Sequence, residues 1–147
     1  MSIPANRLIL ARKKAGLTMQ EAANQSHNTQ STVRFMEAGY TVVTAPKAVV
    51  FGNIYGVSPA WILWGGDYPE TADLRYNPFK TGNRISNSRR DTGLRQHELA
   101  ELVHMTVPAL SGIEDGSVKL TPHMCEKISN VLGVDKAWLL FGVERPA

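Results

Sequence analysis

Residues 18–39, TMQEAANQSHNTQSTVRFMEAG, decide how the rest of the chain reads. They predict two short helices joined by a tight turn. Thr18 is placed to cap the first helix, with Glu21 three residues on to complete a capping box. Thr29 is placed to cap the second. Gly39 stops it, because glycine enters the left-handed region without the steric cost of a Cβ. Val33 and Met36 share one face at helical spacing, which leaves Gln30, Ser31, Thr32 and Arg34 to point outward from the N-terminal half. Amide, hydroxyl and guanidinium groups presented this way can bond the base edges of a DNA major groove. A merely solvated helix face has the same composition.

The pattern recurs. Displacing the sequence by 77 positions aligns it with itself, without a gap, from Arg7 on Arg84 to Gly65 on Gly142. The matches include Arg12/Arg89, Gly16/Gly93, Leu17/Leu94, Glu21/Glu98, Thr29/Thr106, Glu37/Glu114, Gly39/Gly116, Gly56/Gly133 and Trp61/Trp138. Chance does not bring so many caps and glycines into register, so the chain is a tandem duplication. Each copy predicts five short helices and no strand. The first runs from about Asn6 to Ala15. The fourth begins near Pro46 after Thr44, or at Pro122 after Thr121, which suits proline in a first helical turn. The fifth starts at Pro59 after Ser58, or at Lys136 after Asp135, and carries Trp61 and Trp64 or Trp138 and Phe141. The expected organisation is all-α: one domain over 1–65, a linker over 66–83 holding Pro69 and Pro78, and a second domain over 84–147. Tyr68, Tyr76 and Phe79 in the linker suggest that part of it packs on a domain.

Composition bounds the function. The chain has 147 residues, 43% of them hydrophobic, and no apolar run long enough to span a bilayer. Its N-terminus lacks the ordered regions of a secretory signal. Cys125 is the only cysteine, so neither an intrachain disulfide nor a cysteine–histidine zinc cluster is expected. A cytoplasmic protein without metal or cofactor follows. The net charge of +3 is unevenly spread. Residues 1–65 hold six basic and two acidic side chains, whereas residues 84–147 hold eight of each. The electropositive half is the first.

The stretches LARKKAGLTMQEAANQSHNTQSTVRFMEAG with GVSPAWILWG, and SRRDTGLRQHELAELVHMTVPALSGIEDG with GVDKAWLLFG, resemble the Cro/CI-type helix-turn-helix domain of phage repressors and related bacterial regulators. The resemblance covers nearly everything except the linker. It implies two lambda-repressor-like domains in tandem. It also implies structural ion pairs, Arg12 with Glu37 and Arg89 with Glu114. The base-reading positions it implies are Gln30, Ser31, Thr32, Arg34 and Phe35. Phosphate contacts fall to Lys13, Gln20 and Thr29 in the first copy, and to Arg95, Gln96, Thr106 and Lys119 in the second.

The copies differ where bases would be read. Val107, Pro108, Ala109, Ser111 and Gly112 replace the first copy's polar set and offer few hydrogen-bonding groups. The second copy is therefore expected to hold phosphates with little base reading, or to serve dimerisation or partner binding. His27 and His104 sit at equivalent turn positions, read as turn residues ahead of phosphate contacts. The leading expectation is a sequence-specific regulator of double-stranded DNA, a repressor of phage or mobile-element type, acting as a homodimer. The alternative is a protein-interaction module, an antirepressor or antitoxin. No phosphate loop, metal-spaced histidine cluster or paired nucleophile and base points to an enzyme.

Overall fold

The computed structural model describes residues 3–66 and 75–142, and among them every regular element is a helix. Contacts divide the chain into two units, one ending at Arg75 and the next beginning at Tyr76. Unit 1 holds α1 (Pro4–Lys14), α2 (Met19–Gln25), α3 (Gln30–Glu37), α4 (Ala45–Tyr55) and α5 (Pro59–Trp64). Unit 2 holds α6 (Pro78–Asp91), α7 (Gln96–Leu102), α8 (Val107–Asp115), α9 (Pro122–Leu132) and α10 (Lys136–Phe141). No helix among the described residues is long and apolar enough to cross a membrane.

Local signals set the boundaries. Thr18, Thr29, Thr44 and Ser58 each accept a hydrogen bond from a backbone N–H in the first turn of the helix they precede. Thr106, Thr121 and Asp135 do the same in unit 2. Each such cap is worth roughly 1 kcal/mol. α4 and α9 end on Gly56 and Gly133, both left-handed.

In unit 1, α1 packs on α3, α4 and α5, and α2 packs on α3 and α4. Leu8, Val33, Met36, Phe51 and Ile62 are almost wholly buried at that junction. Unit 2 repeats the arrangement, with Ile85, Leu99, Leu110, Ile128 and Leu139 in its core. Each of these side chains contributes about 1.5–3 kcal/mol through burial.

The junction between the copies differs from the expected linker over 66–83. α6 begins at Pro78, so residues 78–83 are helical and Thr81 and Gly82 are buried. The Asn77 side chain accepts from Phe79 N–H and Lys80 N–H, and Pro78 fills the first helical position. Asn-Pro thus starts a helix here, where the sequence suggested only a turn. Tyr76 is half-buried and its hydroxyl accepts from Leu120 N–H at 3.3 Å. The Phe79 ring lies against Gly116, where an added Cβ would meet it at 2.6 Å. Tyr68 lies outside the described residues.

Candidate nucleic-acid interface

The outward face of α3 stands on a fixed base. Val33 and Met36 are buried beneath it, and Glu37 near its end is buried too. Arg12 of α1 grips that carboxylate with two bonds, Nε to Oε2 at 2.7 Å and Nη2 to Oε1 at 3.0 Å. Its Nη1 donates to Leu17 O at 2.9 Å, tying the loop before α2 to the same group. The hydrogen bond with Glu37 holds the Arg12 guanidinium above its ordinary range. Arg89 repeats the device on Glu114, at 2.9 and 3.1 Å, and on Leu94 O at 2.8 Å. Planar guanidinium meeting carboxylate in a fork fixes orientation as well as distance.

A second pair of arginines anchors the far end of each unit, and only its repetition was visible in the sequence. Arg7 is buried, with Nε donating to Ile62 O at 2.8 Å and Nη2 to Leu63 O at 2.7 Å. These carbonyls belong to the last turn of α5, where helical partners run out and a cation is favoured. In unit 2 the task is shared: Arg84 donates to Leu139 O at 3.1 Å and Thr81 to Leu140 O at 3.2 Å. Burial pushes both arginines below their ordinary pKa, and the helix-end carbonyls supply the compensating acceptors.

On this base Gln30, Ser31 and Arg34 are exposed along α3. Thr32 departs from the expected outward position: it is half-buried, with its hydroxyl 3.0 Å from that of Thr29. Arg34 lies over the Phe35 ring at 5.7 Å, within cation–π range, and its Nη2 reaches Ser31 Oγ at 3.4 Å. Phe35 is 44% exposed and its ring sits 6.2 Å from that of Tyr40, itself 80% exposed. The aromatic edge of this face therefore has two members. Tyr40 falls in the loop after α3, outside the helical pattern that singled out Phe35.

The phosphate candidates divide into two groups. Lys13, Arg95 and Lys119 are exposed cations. The others have internal partners. Thr29 and Thr106 cap α3 and α8, and Gln20 donates to Asn24 Oδ1 at 2.9 Å. Gln96, half-buried, donates to Glu114 Oε1 at 3.2 Å and so braces the Arg89 pair. His27 and His104 both adopt left-handed backbone, φ 57°, in the turn between the two helices of each motif. Histidine is enriched in that region among non-glycine residues.

In unit 2 the corresponding face is apolar, with Val107 and Pro108 exposed and Gly112 covered. Val118 lies on Gly112, where an added Cβ would stand 2.5 Å from a Val118 methyl, and its N–H donates to Gly112 O at 3.0 Å. Val107 is the large apolar group left exposed on α8, at 40%.

A capped pair of helices, tight turn between them, braced from α1 and repeated once, matches the helix-turn-helix family over residues 8–62 and again over 86–139. The chain belongs to that family. Among solved structures, it is similar to the restriction-modification controller protein C.AhdI from Aeromonas hydrophila. The two share 26% identity with a TM-score of 0.41, over 42% of this chain and 94% of that one. No curated protein matches the chain. Membership of the helix-turn-helix family supports a DNA-binding regulator.

Proposed function

We propose that the chain is a sequence-specific regulator of double-stranded DNA whose α3 enters the major groove, with unit 2 holding backbone phosphates. The observation that carries this is the exposed row of Gln30, Ser31 and Arg34 on a helix locked from beneath by Arg12–Glu37. Gln30 suits an adenine edge and Arg34 a guanine edge, each good bidentate contact discriminating by roughly 1–3 kcal/mol. Arg95 and Lys119 suit phosphates, and unit 2 offers few base-edge partners. The resemblance to phage repressors supports repression by occluding a promoter. A dimer would place two α3 helices on half-sites about 34–36 Å apart.

A second reading, a module that binds another regulator, is favoured by the apolar face of α8 and by the exposed Phe35 and Tyr40. Selection from a randomised duplex library separates the two. The wild type is compared with Gln30→Ala/Arg34→Ala and with Arg95→Ala/Lys119→Ala. The first variant is expected to lose sequence preference. The second should weaken binding to every duplex and flatten its salt dependence. If no preferred site emerges at low salt, the DNA reading fails and the protein-partner reading takes its place.

A further inference from the structure

We infer that Arg34 and Phe35 read one base step together: the arginine bonds a guanine edge, and the phenyl ring covers the C5 methyl of a pyrimidine beside it. This rests on the reading of α3 as the base-contacting helix and names one element of its site.

The core side of α3 is taken by Val33 and Met36, so Phe35 is turned outward and is 44% exposed. An outward phenylalanine forgoes the stabilisation that burial would give it, yet this ring is not loose. The Arg34 guanidinium lies over it, 5.7 Å from the ring centroid. The Tyr40 ring stands 6.2 Å away, tilted against it. Gly39, left-handed at φ 82°, turns the chain so that Tyr40 N–H donates to Phe35 O at 3.0 Å. Arg34 has a second hold, its Nη2 reaching Ser31 Oγ at 3.4 Å. Guanidinium and ring are therefore placed before any ligand arrives, which lowers the ordering cost of binding.

The two groups can act at once. Cation–π attraction uses the face of the guanidinium, whereas its N–H donors point outward in the plane and fit guanine O6 and N7. Successive bases on a strand stack roughly 3.4 Å apart. The 5.7 Å from guanidinium carbon to ring centroid spans more than one such step and less than two. A ring at that distance lies beyond the guanine and against its neighbour. Phenyl has no donor or acceptor for a base edge, so what it recognises in the major groove is an apolar group, the C5 methyl of thymine. 5-Methylcytosine carries the same methyl at the same place.

Unit 2 lacks the whole set. The repeats of Arg34, Phe35 and Tyr40 are Ser111, Gly112 and Ser117, and Val118 closes over Gly112. Each chain thus reads this step once, through unit 1.

Anisotropy titrations of the full chain on its selected duplex, at fixed salt, test the inference. Arg34→Ala marks the guanine as the position whose base preference it erases. Deoxyuridine in place of a thymine in the flanking base pairs removes only a methyl. At one of those thymines it should weaken wild-type binding about fourfold, the value of burying one methyl group. 5-Methyldeoxycytidine there should bind about fourfold tighter than deoxycytidine, and whichever of it and thymine binds tighter names the base the site is built for. Phe35→Ala should bind thymine and deoxyuridine duplexes equally while still preferring the guanine. The wild-type comparison changes the DNA alone, so it does not depend on a variant folding. Equal wild-type affinity with and without each flanking methyl would overturn the inference and leave base reading by α3 standing. So would a methyl preference that survives Phe35→Ala, or an Arg34→Ala chain that keeps every base preference. If no preferred duplex emerges, both readings fall.

Discussion

α3 and α8 occupy the same place in the two units, yet one offers Gln30, Ser31 and Arg34 while the other offers Val107, Pro108 and Ser111. What lies beneath them is nearly identical. Arg12–Glu37 and Arg89–Glu114 have matching fork geometry, and Thr29 and Thr106 make the same cap. The frame and the face are thus physically separable. Side chains that point into the unit are held by packing and buried hydrogen bonds, so substitution there costs stability. Those that point outward touch little of their own unit and can change at small cost. The loop after α8 went further, folding Val118 onto Gly112 where α3 presents Phe35.

The largest effect expected from breaking this parallel is at the buried pairs. Glu37→Ala strands the Arg12 guanidinium, and loss of one partner from such a pair costs about 3–5 kcal/mol. Glu114→Ala should cost more, because it also strands the Gln96 amide. Urea unfolding of each variant checks the order. Equal losses would mean that Gln96 contributes nothing to the brace.

A smaller effect separates the units at one position. Unit 1 has Ala5 where unit 2 has Gly82, and both are buried. A Cβ on Gly82 would collide with the Glu114 carbonyl oxygen and stand 2.6 Å from that of Ile113. α6 therefore approaches α8 more closely than a side chain permits. Gly82→Ala should destabilise unit 2 by about 1–3 kcal/mol through overpacking, despite alanine's better helix propensity. Ala5→Gly should cost unit 1 about 1–2 kcal/mol, through lower helix propensity and the buried methyl it removes. Thermal melts of the two variants check the pair; a stabilised Gly82→Ala would show that the helices can separate freely.

Much of the frame was legible in the sequence because caps and stops are local. Thr18 with Glu21, Thr29, and Gly56 announce helix ends within four residues of where they act. The Arg12–Glu37 pair came from family resemblance, since nothing local joins two residues so far apart in the chain. What stayed hidden depends on neighbours brought in by folding. Arg7 and Arg84 look like ordinary surface cations until α5 and α10 place their terminal carbonyls beside them. Gln96 reads as a phosphate contact until Glu114 arrives next to it. Gly82 fell in a stretch read as linker, because Asn77-Pro78 signals a turn and a helix start equally well. Of the candidate face, Gln30, Ser31 and Arg34 were recognisable from spacing, whereas Tyr40 was not, lying beyond the periodic segment.

The cap of α7 offers a gain in place of a loss. Thr18 makes both halves of its capping box, whereas Arg95, which has no acceptor, leaves only the Glu98 half, at 2.9 Å to its own N–H. Arg95→Thr should restore the missing bond and stabilise unit 2 by about 1 kcal/mol. If Arg95 holds a phosphate, the same variant binds every duplex more weakly and with a shallower salt slope. Melting and DNA titration of one variant then read frame and face in opposite directions. Stability gained with DNA affinity unchanged would remove Arg95 from the phosphate contacts.

The last effect appears only at alkaline pH and differs in onset between the units. Cys125 is fully buried on α9, and burial pushes its thiol from the ordinary 9.0 up to about 12. Its repeat in unit 1 is Ala48. Unit 1 instead has Tyr55, pushed by burial from 10.0 to about 12, where unit 2 has Leu132. In each case the folded state keeps a proton that the unfolded chain releases sooner, so stability falls as pH rises between the two values. Unit 2 should therefore begin to weaken near pH 9 and unit 1 nearer pH 10. With Trp61 and Trp64 replaced by Phe, Trp138 fluorescence reports unit 2 alone during urea unfolding at successive pH values. Cys125→Ala should abolish the onset near pH 9 in unit 2 and leave only a later loss above pH 10, where Tyr76, also raised by burial, titrates in the unfolded chain. An onset near pH 9 that survives this substitution would assign the alkaline loss in unit 2 to some other group.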